Sequence, residues 1–579
     1  MWRIAAGLII ALVAQAQDPS AVLGSIFESE WEYQMREWPA GATWTGDRRY
    51  NDRWPDLSLG AFERRHAHLR ELIGRLRKLD LSAVPPADRL NYDLFLREQE
   101  YELSTHRFRT YLMPIGMRGG IQTADDLAAV VQSRESKDYQ DWIARMRAFP
   151  LYMDQTIALM REGVRARMLL PKVIMSRIPA QIGKQIVSDP EKSPFYAPFL
   201  RLPASMAEAE KLRLQSAARE AILASVVPAF RRLKVYFEGE YLPSCYDQVG
   251  IWQVPDGGTL YADAVRRHTT TSLTPREIHE TGLREVGRIR DEMHTVMRGT
   301  GFTGTLKEFF SHLRTEPKFY YSSPEDLLNA YMVLAMRIDP LLVKVFRTLP
   351  RMPYGVEAIP ANIAPDTTTA YYRPPALDGS RAGTYFVNLY RPEVRPKWEM
   401  MALTLHESVP GHHVQIALAQ ELGEVPRFRR QSSFGAFVEG WALYAESLGE
   451  ELGLYSDPYA KFGQLTYEMW RAVRLVVDTG MHELRWDRRK AIDFFLENAA
   501  KTELDVVNEI DRYIGWPGQA LAYKIGELKI KELRKRAEQA LGARFDLREF
   551  HEAVLASGAI PLDMLEANVD RWIKTRLAR

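Results

Sequence analysis

The sequence predicts a large, mainly α-helical fold with a small β-sheet beside one functional helix. Apolar residues recur at intervals of three and four over most of its 579 residues, which is typical of amphipathic helices. Residues 355–396 differ, because Pro, Gly, Thr and aromatic residues dominate there and 384–389 has the strongest strand pattern. The chain is too long for one small core, so we expect several domains or one interlocked helical body.

The first sixteen residues have the pattern of a secretory signal peptide. A short basic start containing Arg3 precedes an apolar run over 4–13, and Ala14-Gln15-Ala16 has the small-x-small form of a cleavage site. We therefore expect a periplasmic or secreted protein, cleaved near Ala16. No cysteine lies at the cleavage site, so a lipid anchor is not indicated. A disordered or helical N-terminus is the alternative.

Composition argues against two classes of partner. Lys plus Arg number 77 and Asp plus Glu 75, so no strong field would attract nucleic acid or an anionic membrane. No other stretch approaches the roughly 20 apolar residues that a membrane-spanning helix needs. The single Cys245 cannot form an internal disulfide, and we predict that it is a small buried hydrophobic residue. Nucleic acid and a membrane span are therefore not expected.

Residues 17–255 are predicted to form an N-terminal helical scaffold. Helical patterns cover 59–108 and 204–237, and two further long helices are expected within 123–170, around Pro150. This half contains no catalytic constellation.

A turn-forming cluster at 255–258 marks a boundary, after which we expect a second region over 256–579. Near its start, Thr274, Pro275 and Glu277 have the positions of an N-cap, a first-turn proline and a capping-box glutamate. These three residues predict the beginning of a helix.

The segment from His406 to His413 contains the residue types of a catalytic zinc site. Such a site uses two histidines and a glutamate and leaves a fourth position for water. In the plain His-Glu-x-x-His pattern the histidines are four apart and share one helix face. Here His412 is six residues after His406, about 240° around an ideal helix, whereas His413 shares the face but lies about 10.5 Å further along the axis.

Pro410 offers a solution to this spacing. It cannot donate a hydrogen bond to the carbonyl of His406, so the helix should open or bulge within this turn. Gly411 beside it can take backbone angles that other residues avoid. We predict His406 and His412 as the ligand pair, with His413 in reserve. Packing or surface roles for these histidines are the alternative.

Several phrases around this motif carry a family resemblance. FVEGWALYAE at 437–446, DGSRAGTYFVN at 378–388, RLVVDTGMH at 474–482 and RYIGWPGQALAYKIG at 512–526 closely resemble a bacterial family catalogued as a domain of unknown function, number eight-eight-five. That family is similar to gluzincin metallopeptidases and, more distantly, to thimet-type oligopeptidases and related carboxypeptidases. The resemblance implies that 256–579 is a metallopeptidase-like catalytic region. It also implies a zincin-like metallopeptidase fold with a central cleft, one Zn²⁺ per chain and a short peptide substrate.

The resemblance also implies roles for three glutamates. Glu439, which is 27 residues after His412, follows the Phe-Val-Glu phrase and becomes the third metal ligand, and Glu407 becomes the general base. Glu446 lies seven residues after Glu439, on the same helix face. It either orients a ligand histidine or makes a scaffold ion pair.

Tyr523 and His482 are the remaining catalytic candidates. The Gly-x-x-x-x-Tyr run ending at Tyr523 resembles the oligopeptidase segment whose tyrosine supports the oxyanion, with His482 assisting. Asp478 lies four residues before His482, so the two could form a hydrogen-bond pair in the site. The alternatives are a core tyrosine and, with Arg471 and Arg474, an ion-pair stripe between helices.

The strand before the metal helix gives the substrate-binding candidates. In gluzincin-like sites a strand beside the zinc binds the substrate main chain, so the resemblance implies β-augmentation here, with Arg381, Tyr385 and Asn388 facing the substrate. A hairpin that covers a loop and binds no ligand is the alternative.

Three functional hypotheses follow from these patterns. The first is a secreted or periplasmic zinc peptidase that acts on short peptides. The second is a helical peptide-binding or chaperone-like protein whose metal is structural or lost, and the third is a zinc amidohydrolase that acts on a non-peptide amide. The cleavage position stays open, because the anchor for a substrate terminus cannot be chosen among so many arginines.

Overall fold

A computed structural model describes residues 18–131, 133–361, 364–366, 368–376, 379, 381–430 and 432–578. The predicted signal peptide at 1–16 lies outside these residues. The helices of the first half are α1 (Pro19–Glu37), α2 (Pro39–Trp44), α3 (Leu59–Leu76), α4 (Pro86–Phe108), α5 (Asp126–Val130), α6 (Ser136–Ala166), α7 (Lys172–Met175), α8 (Ile178–Lys184), α9 (Glu208–Ala221), α10 (Val227–Tyr236) and α11 (Leu242–Ser244).

The second half contains the remaining helices and a three-stranded sheet. Its helices are α12 (Gly257–Thr269), α13 (Pro275–Gly299), α14 (Leu306–Thr315), α15 (Pro324–Ile338), α16 (Met400–Glu407), α17 (His412–Gln420), α18 (Gly435–Ser447), α19 (Pro458–His482), α20 (Arg488–Asn498), α21 (Glu503–Gly515), α22 (Ala522–Leu541), α23 (Leu547–Leu555) and α24 (Leu562–Ala578). Its strands are β1 (Tyr354–Ala358), β2 (Ala370–Arg373) and β3 (Gly383–Val387). The prediction of a mainly helical fold with a small sheet is confirmed.

Local sequence signals correctly predict where α13 begins, but they wrongly predict a break at Pro150. The Thr274 hydroxyl accepts from the Glu277 N–H and the Glu277 carboxylate accepts from the Thr274 N–H, so the predicted cap of α13 is confirmed. The two helices predicted around Pro150 are instead the single helix α6. Burial of Trp142 and Phe149 on its core face offsets the hydrogen bond that proline removes.

The main apolar core crosses the predicted boundary near 255. Its largest cluster joins Trp142 and Phe230 from the first half to Val286, Leu465 and Ile510 from the second. The predicted division into 17–255 and 256–579 is therefore not marked by separate cores. Cys245 is buried, as predicted.

The small sheet lies directly against the helix that carries the first candidate ligand. Tyr385 of β3 belongs to one apolar cluster with Tyr331 of α15 and Ala402 of α16, so the predicted position of the sheet is confirmed. The strand order is β1-β3-β2, in which β3 pairs parallel with β1 and antiparallel with β2. Because both edges of β3 are occupied, the predicted β-augmentation on this strand is wrong.

Two glycines bring α18 and α22 unusually close. A Cβ atom on Gly440 would lie 2.5 Å from the Cα of Gly526, so no larger residue fits at this crossing. The approach brings the first turn of α22, with Tyr523, beside the turn of α18 that carries Glu439. Among the helices that the structure describes, none has the length and apolar character needed to cross a bilayer.

Candidate metal centre

The helix of the metal motif is interrupted where the sequence predicts. α16 ends at Glu407 and α17 begins at His412, with Pro410 and Gly411 in the turn between them. A Cβ atom at Gly411 would lie 2.0 Å from the His406 carbonyl oxygen, so the turn requires glycine. The Trp441 indole N–H donates to the Pro410 carbonyl over 2.9 Å, which ties the turn to α18.

The interruption brings three potential ligands together. The Nε2 atoms of His406 and His412 each lie 3.6 Å from Oε2 of Glu439. One ligand atom from each residue falls within 4.8 Å of the others. Ligand atoms of a tetrahedral zinc are about 3.3–3.5 Å apart, as follows from bond lengths of about 2.0–2.2 Å. The donor types are those of a zinc site, and the two Nε2–Oε2 distances are close to the spacing that one zinc ion requires.

His406 lies between two carboxylates of α18. Its Nδ1 is 2.8 Å from Oε1 of Glu446, while its Nε2 faces Glu439. Because a carboxylate only accepts, Glu446 holds the proton on Nδ1 and leaves the Nε2 lone pair for a metal. Arg471 lies 3.7 Å from the same Glu446 oxygen and balances its charge. This is the contact expected of a carboxylate that orients a ligand histidine.

The structure distinguishes the two adjacent histidines. His413 turns away from the cluster: its Nδ1 lies 2.8 Å from the Tyr372 hydroxyl, and its ring also bonds the backbone of Met352. His412 instead faces Glu439, and its buried Nδ1 has no hydrogen-bond partner among the residues that the structure describes. His412, rather than the reserve residue, completes the cluster.

The charges within the cluster favour a bound cation. Burial lowers the pKa of His412 to about 4, so its imidazole is neutral. Burial raises the pKa of Glu439, but His406 and His412 outweigh it and bring the pKa to about 2. Burial likewise opposes protonation of His406, yet Glu439 and Glu446 raise its pKa to about 9. Glu439 and Glu446 therefore favour a positive charge on or beside His406.

Glu407 and Tyr523 border the cluster and remain partly exposed. Burial raises the pKa of Glu407 to about 7, and the nearby Glu439 acts in the same direction. Burial and the charge of Glu439 also raise the pKa of Tyr523, whose ring centroid lies 4.4 Å from the Arg474 guanidinium carbon. A proton acceptor and a hydroxyl donor are therefore both near the three ligands.

His482 does not have the catalytic role predicted for it. Its Nδ1 accepts from the Ile251 N–H and its Nε2 bonds the Tyr513 carbonyl, each at a distance of 3.0 Å. Asp478 does not bond His482, because its carboxylate accepts from the Tyr261 hydroxyl over 2.6 Å and from the Gly518 N–H over 3.1 Å. No N–H of His482 is left for a substrate, so both residues tie distant segments together.

Two of the three substrate-binding candidates are internal. Tyr385 is fully buried, with its hydroxyl 3.5 Å from Oγ1 of Thr404. Asn388 is 1% exposed, and its amide donates to backbone carbonyls of the preceding loop. Neither faces a substrate, so these predictions are wrong. Arg381 is exposed and donates to the Pro374 carbonyl, and its substrate role stays a prediction.

Two arginines of α19 have a closer relation to the site than the sequence indicated. Their spacing predicted only an ion-pair stripe, yet Arg471 contacts Glu446 and Arg474 lies over the Tyr523 ring. The three-residue interval shows that they share a face, but it cannot show what that face meets.

Comparison with known proteins places the chain in a family. A family described as "Bacterial protein of unknown function (DUF885)" matches residues 39–569. A crystal structure of a candidate lipoprotein from Colwellia psychrerythraea is 30% identical, with a TM-score of 0.90, and the match covers 97% of this chain and 100% of that one. A candidate lipoprotein of unknown function from Shewanella oneidensis is 15% identical, with a TM-score of 0.73 and coverage of 95% and 99%, and it shares the fold. No curated protein matches the sequence. The chain belongs to the DUF885 family of bacterial proteins.

Proposed function

We propose that this protein is a zinc-dependent peptidase that hydrolyses short peptides. The observation that carries the proposal is the convergence of His406, His412 and Glu439 on one point, with the far nitrogen of His406 held by Glu446. Structural histidines usually have both ring nitrogens paired within the protein, whereas the two Nε2 atoms here face only a shared carboxylate.

The surrounding residues have the chemistry that peptide hydrolysis requires. A zinc ion in this site would lower the pKa of a bound water to near 7 and polarise the scissile carbonyl. Glu407 accepts a proton from the attacking water as its oxygen bonds to the carbonyl carbon, and passes it to the amine nitrogen as the C–N bond breaks. The Tyr523 hydroxyl donates to the carbonyl oxygen, where negative charge develops.

The proposal includes a zincin-like arrangement around a central cleft and an extracytoplasmic location. The gluzincin resemblance implies one helix with adjacent histidine and glutamate residues and a later helix with a further glutamate. Here α16 carries His406 and Glu407, and α18 carries Glu439. The signal-peptide pattern at 1–16 supports export, as does the description of two similar structures as candidate lipoproteins.

A comparison of wild type with Glu407→Gln tests the proposal. Both proteins are loaded with zinc, analysed for metal and incubated with a peptide library. We expect the variant to keep its zinc while its hydrolysis rate falls by about 10²–10⁴-fold, the usual contribution of a general base. Peptide binding without hydrolysis by either protein would instead indicate a binding protein. Hydrolysis of non-peptide amides alone would indicate an amidohydrolase.

A further inference from the structure

Arginines gather around a single carboxylate beside Tyr523. Oε2 of Glu509 accepts from Nη2 of Arg474 over 3.2 Å and from Nη2 of Arg512 over 3.0 Å. The Tyr513 hydroxyl donates to the same oxygen over 2.6 Å. Burial opposes ionisation of Glu509, but Arg474 and Arg512 outweigh it and lower its pKa to about 2. Oε2 of Glu509 therefore already has three donors.

A third arginine adds to the positive charge. Arg118 lies in an exposed turn of the N-terminal half. Partial burial lowers the pKa of its guanidinium, and the charge of the nearby Arg512 acts in the same direction. Within the described part of the chain, no carboxylate lies within 4.0 Å of its guanidinium. Glu509 is the carboxylate that Arg474 and Arg512 contact, and Arg118 adds a third positive charge nearby, so the cluster has an excess of positive charge.

One donor in this cluster has no acceptor. The Arg474 side chain is only 6% exposed, and its Nη1 is buried without a hydrogen-bond partner among the described residues. Its other two nitrogens bond Tyr513 and Glu509. A buried charged donor without an acceptor is strongly unfavourable, so such a group indicates a missing acceptor.

The cluster lies on the Tyr523 side of the candidate metal centre. The Arg474 guanidinium carbon is 4.4 Å from the Tyr523 ring centroid, and Arg474 is among the charges that lower the pKa of Glu439. A zinc ion would take the negative charge of Glu439 and leave the arginines without it. An anion bound by Arg474 would therefore lie on the Tyr523 side of the three candidate ligands.

We propose that Arg118, Arg474 and Arg512 form a subsite for the C-terminal carboxylate of the peptide, so that this chain releases a short C-terminal fragment. The inference rests on the proposed peptidase function. A carboxylate matches the paired N–H groups of arginine, and a terminal carboxylate is the anion that every linear peptide carries. The side-chain carboxylate of a glutamate in the substrate is the competing source of the same chemistry.

Three forms of one peptide test the subsite on the full-length, zinc-loaded protein. The first ends in a free carboxylate and the second in an amide. The third ends in a glutamate whose main-chain carboxyl is an amide and whose side-chain carboxylate is free. We expect kcat/KM for the free acid to exceed that for the plain amide by at least about tenfold, the usual effect of one charged hydrogen bond. Equal cleavage of acid and amide overturns the proposal. Cleavage of the amidated glutamate as fast as the free acid overturns the assignment to the terminus.

A matched pair of variants tests the arginines. Arg118→Gln, at an exposed site where folding is not at risk, should reduce the ratio of acid to amide cleavage severalfold toward one, mainly through KM. Arg201→Gln removes an exposed arginine elsewhere in the N-terminal half and should leave the ratio unchanged. An unchanged ratio in Arg118→Gln, or an equal loss in Arg201→Gln, contradicts the proposal.

A binding measurement separates this inference from the proposed function. An acetylated dipeptide acid and its amide are titrated calorimetrically into the zinc-loaded wild type. At least about tenfold tighter binding of the acid supports the subsite even if no peptide is hydrolysed, and then only the peptidase proposal fails. Equal affinity for acid and amide overturns the subsite, whatever the hydrolysis result.

Discussion

Two buried polar groups of this protein use the same residue types in different ways. In the first, His406 and His412 turn their Nε2 atoms toward one oxygen of Glu439. In the second, His482 pairs both ring nitrogens with backbone groups, and Asp478 accepts from a hydroxyl and an N–H. The partner of each ring nitrogen, rather than the residue type, therefore distinguishes a candidate ligand histidine from a structural one.

Removing each of two adjacent histidines in turn tests this distinction with the largest expected effect. His412→Ala removes a proposed ligand, and we expect loss of zinc and a fall in hydrolysis of more than about 10³-fold, since the metal supplies both nucleophile and charge stabilisation. His413→Ala removes the contacts to Tyr354, Tyr372 and Met352, none of which is a proposed ligand, and should keep its zinc. Metal analysis and peptide hydrolysis check both variants. Zinc retention by His412→Ala would contradict the assignment.

Tyr523→Phe tests the donor on α22. It removes one hydroxyl and leaves the ring over which Arg474 lies, so the fold and the zinc content should not change. Loss of one oxyanion donor typically lowers kcat by about 10²–10³-fold. Steady-state kinetics measures the effect. A variant with wild-type kcat would show that the hydroxyl does not act on the substrate.

Glu446→Gln tests the support of His406. The amide cannot hold the Nδ1 proton as strongly as the carboxylate does, and loss of such a contact typically weakens metal affinity by about 10–100-fold. Competition with a chelator measures the change. Glu450→Gln is the control, because Glu450 lies just beyond the same helix and pairs with Lys461 at 2.6 Å rather than with His406. Equal affinity in the two variants would mean that Glu446 is merely a scaffold group.

His482→Ala should have the smallest effect on zinc and a clear effect on stability. The variant leaves the buried Ile251 N–H and Tyr513 carbonyl without partners and opens a small cavity. We expect the free energy of unfolding to fall by about 2–4 kcal/mol. Chemical denaturation and metal analysis check this result. Loss of zinc from a folded His482→Ala protein would show that His482 contributes to the metal centre.

Local chemistry made part of the centre predictable. Pro410 and Gly411 predicted the opened turn, because one removes a hydrogen bond and the other tolerates a backbone that a Cβ would block. The seven-residue interval between Glu439 and Glu446 placed both on the face that meets His406. These features depend on residues close together in the sequence.

The errors of the sequence interpretation have a common physical cause. The role of His482 depends on the Ile251 N–H, 231 residues away, and no spacing rule reveals that partner. Likewise, the central position of β3 depends on β1 and β2, and the continuity of α6 through Pro150 depends on what its buried face contacts. Tertiary contacts decide these features, and the sequence pattern alone does not contain them.

The zinc content of the protein tests directly whether His406, His412 and Glu439 bind a metal. Wild type and Glu439→Ala are dialysed against dilute zinc and then against metal-free buffer, and bound metal is measured by mass spectrometry. We predict about one zinc per wild-type chain and almost none in the variant, because two imidazoles alone do not complete a catalytic site. Zinc-free wild type, or a variant that holds zinc equally well, would contradict the account.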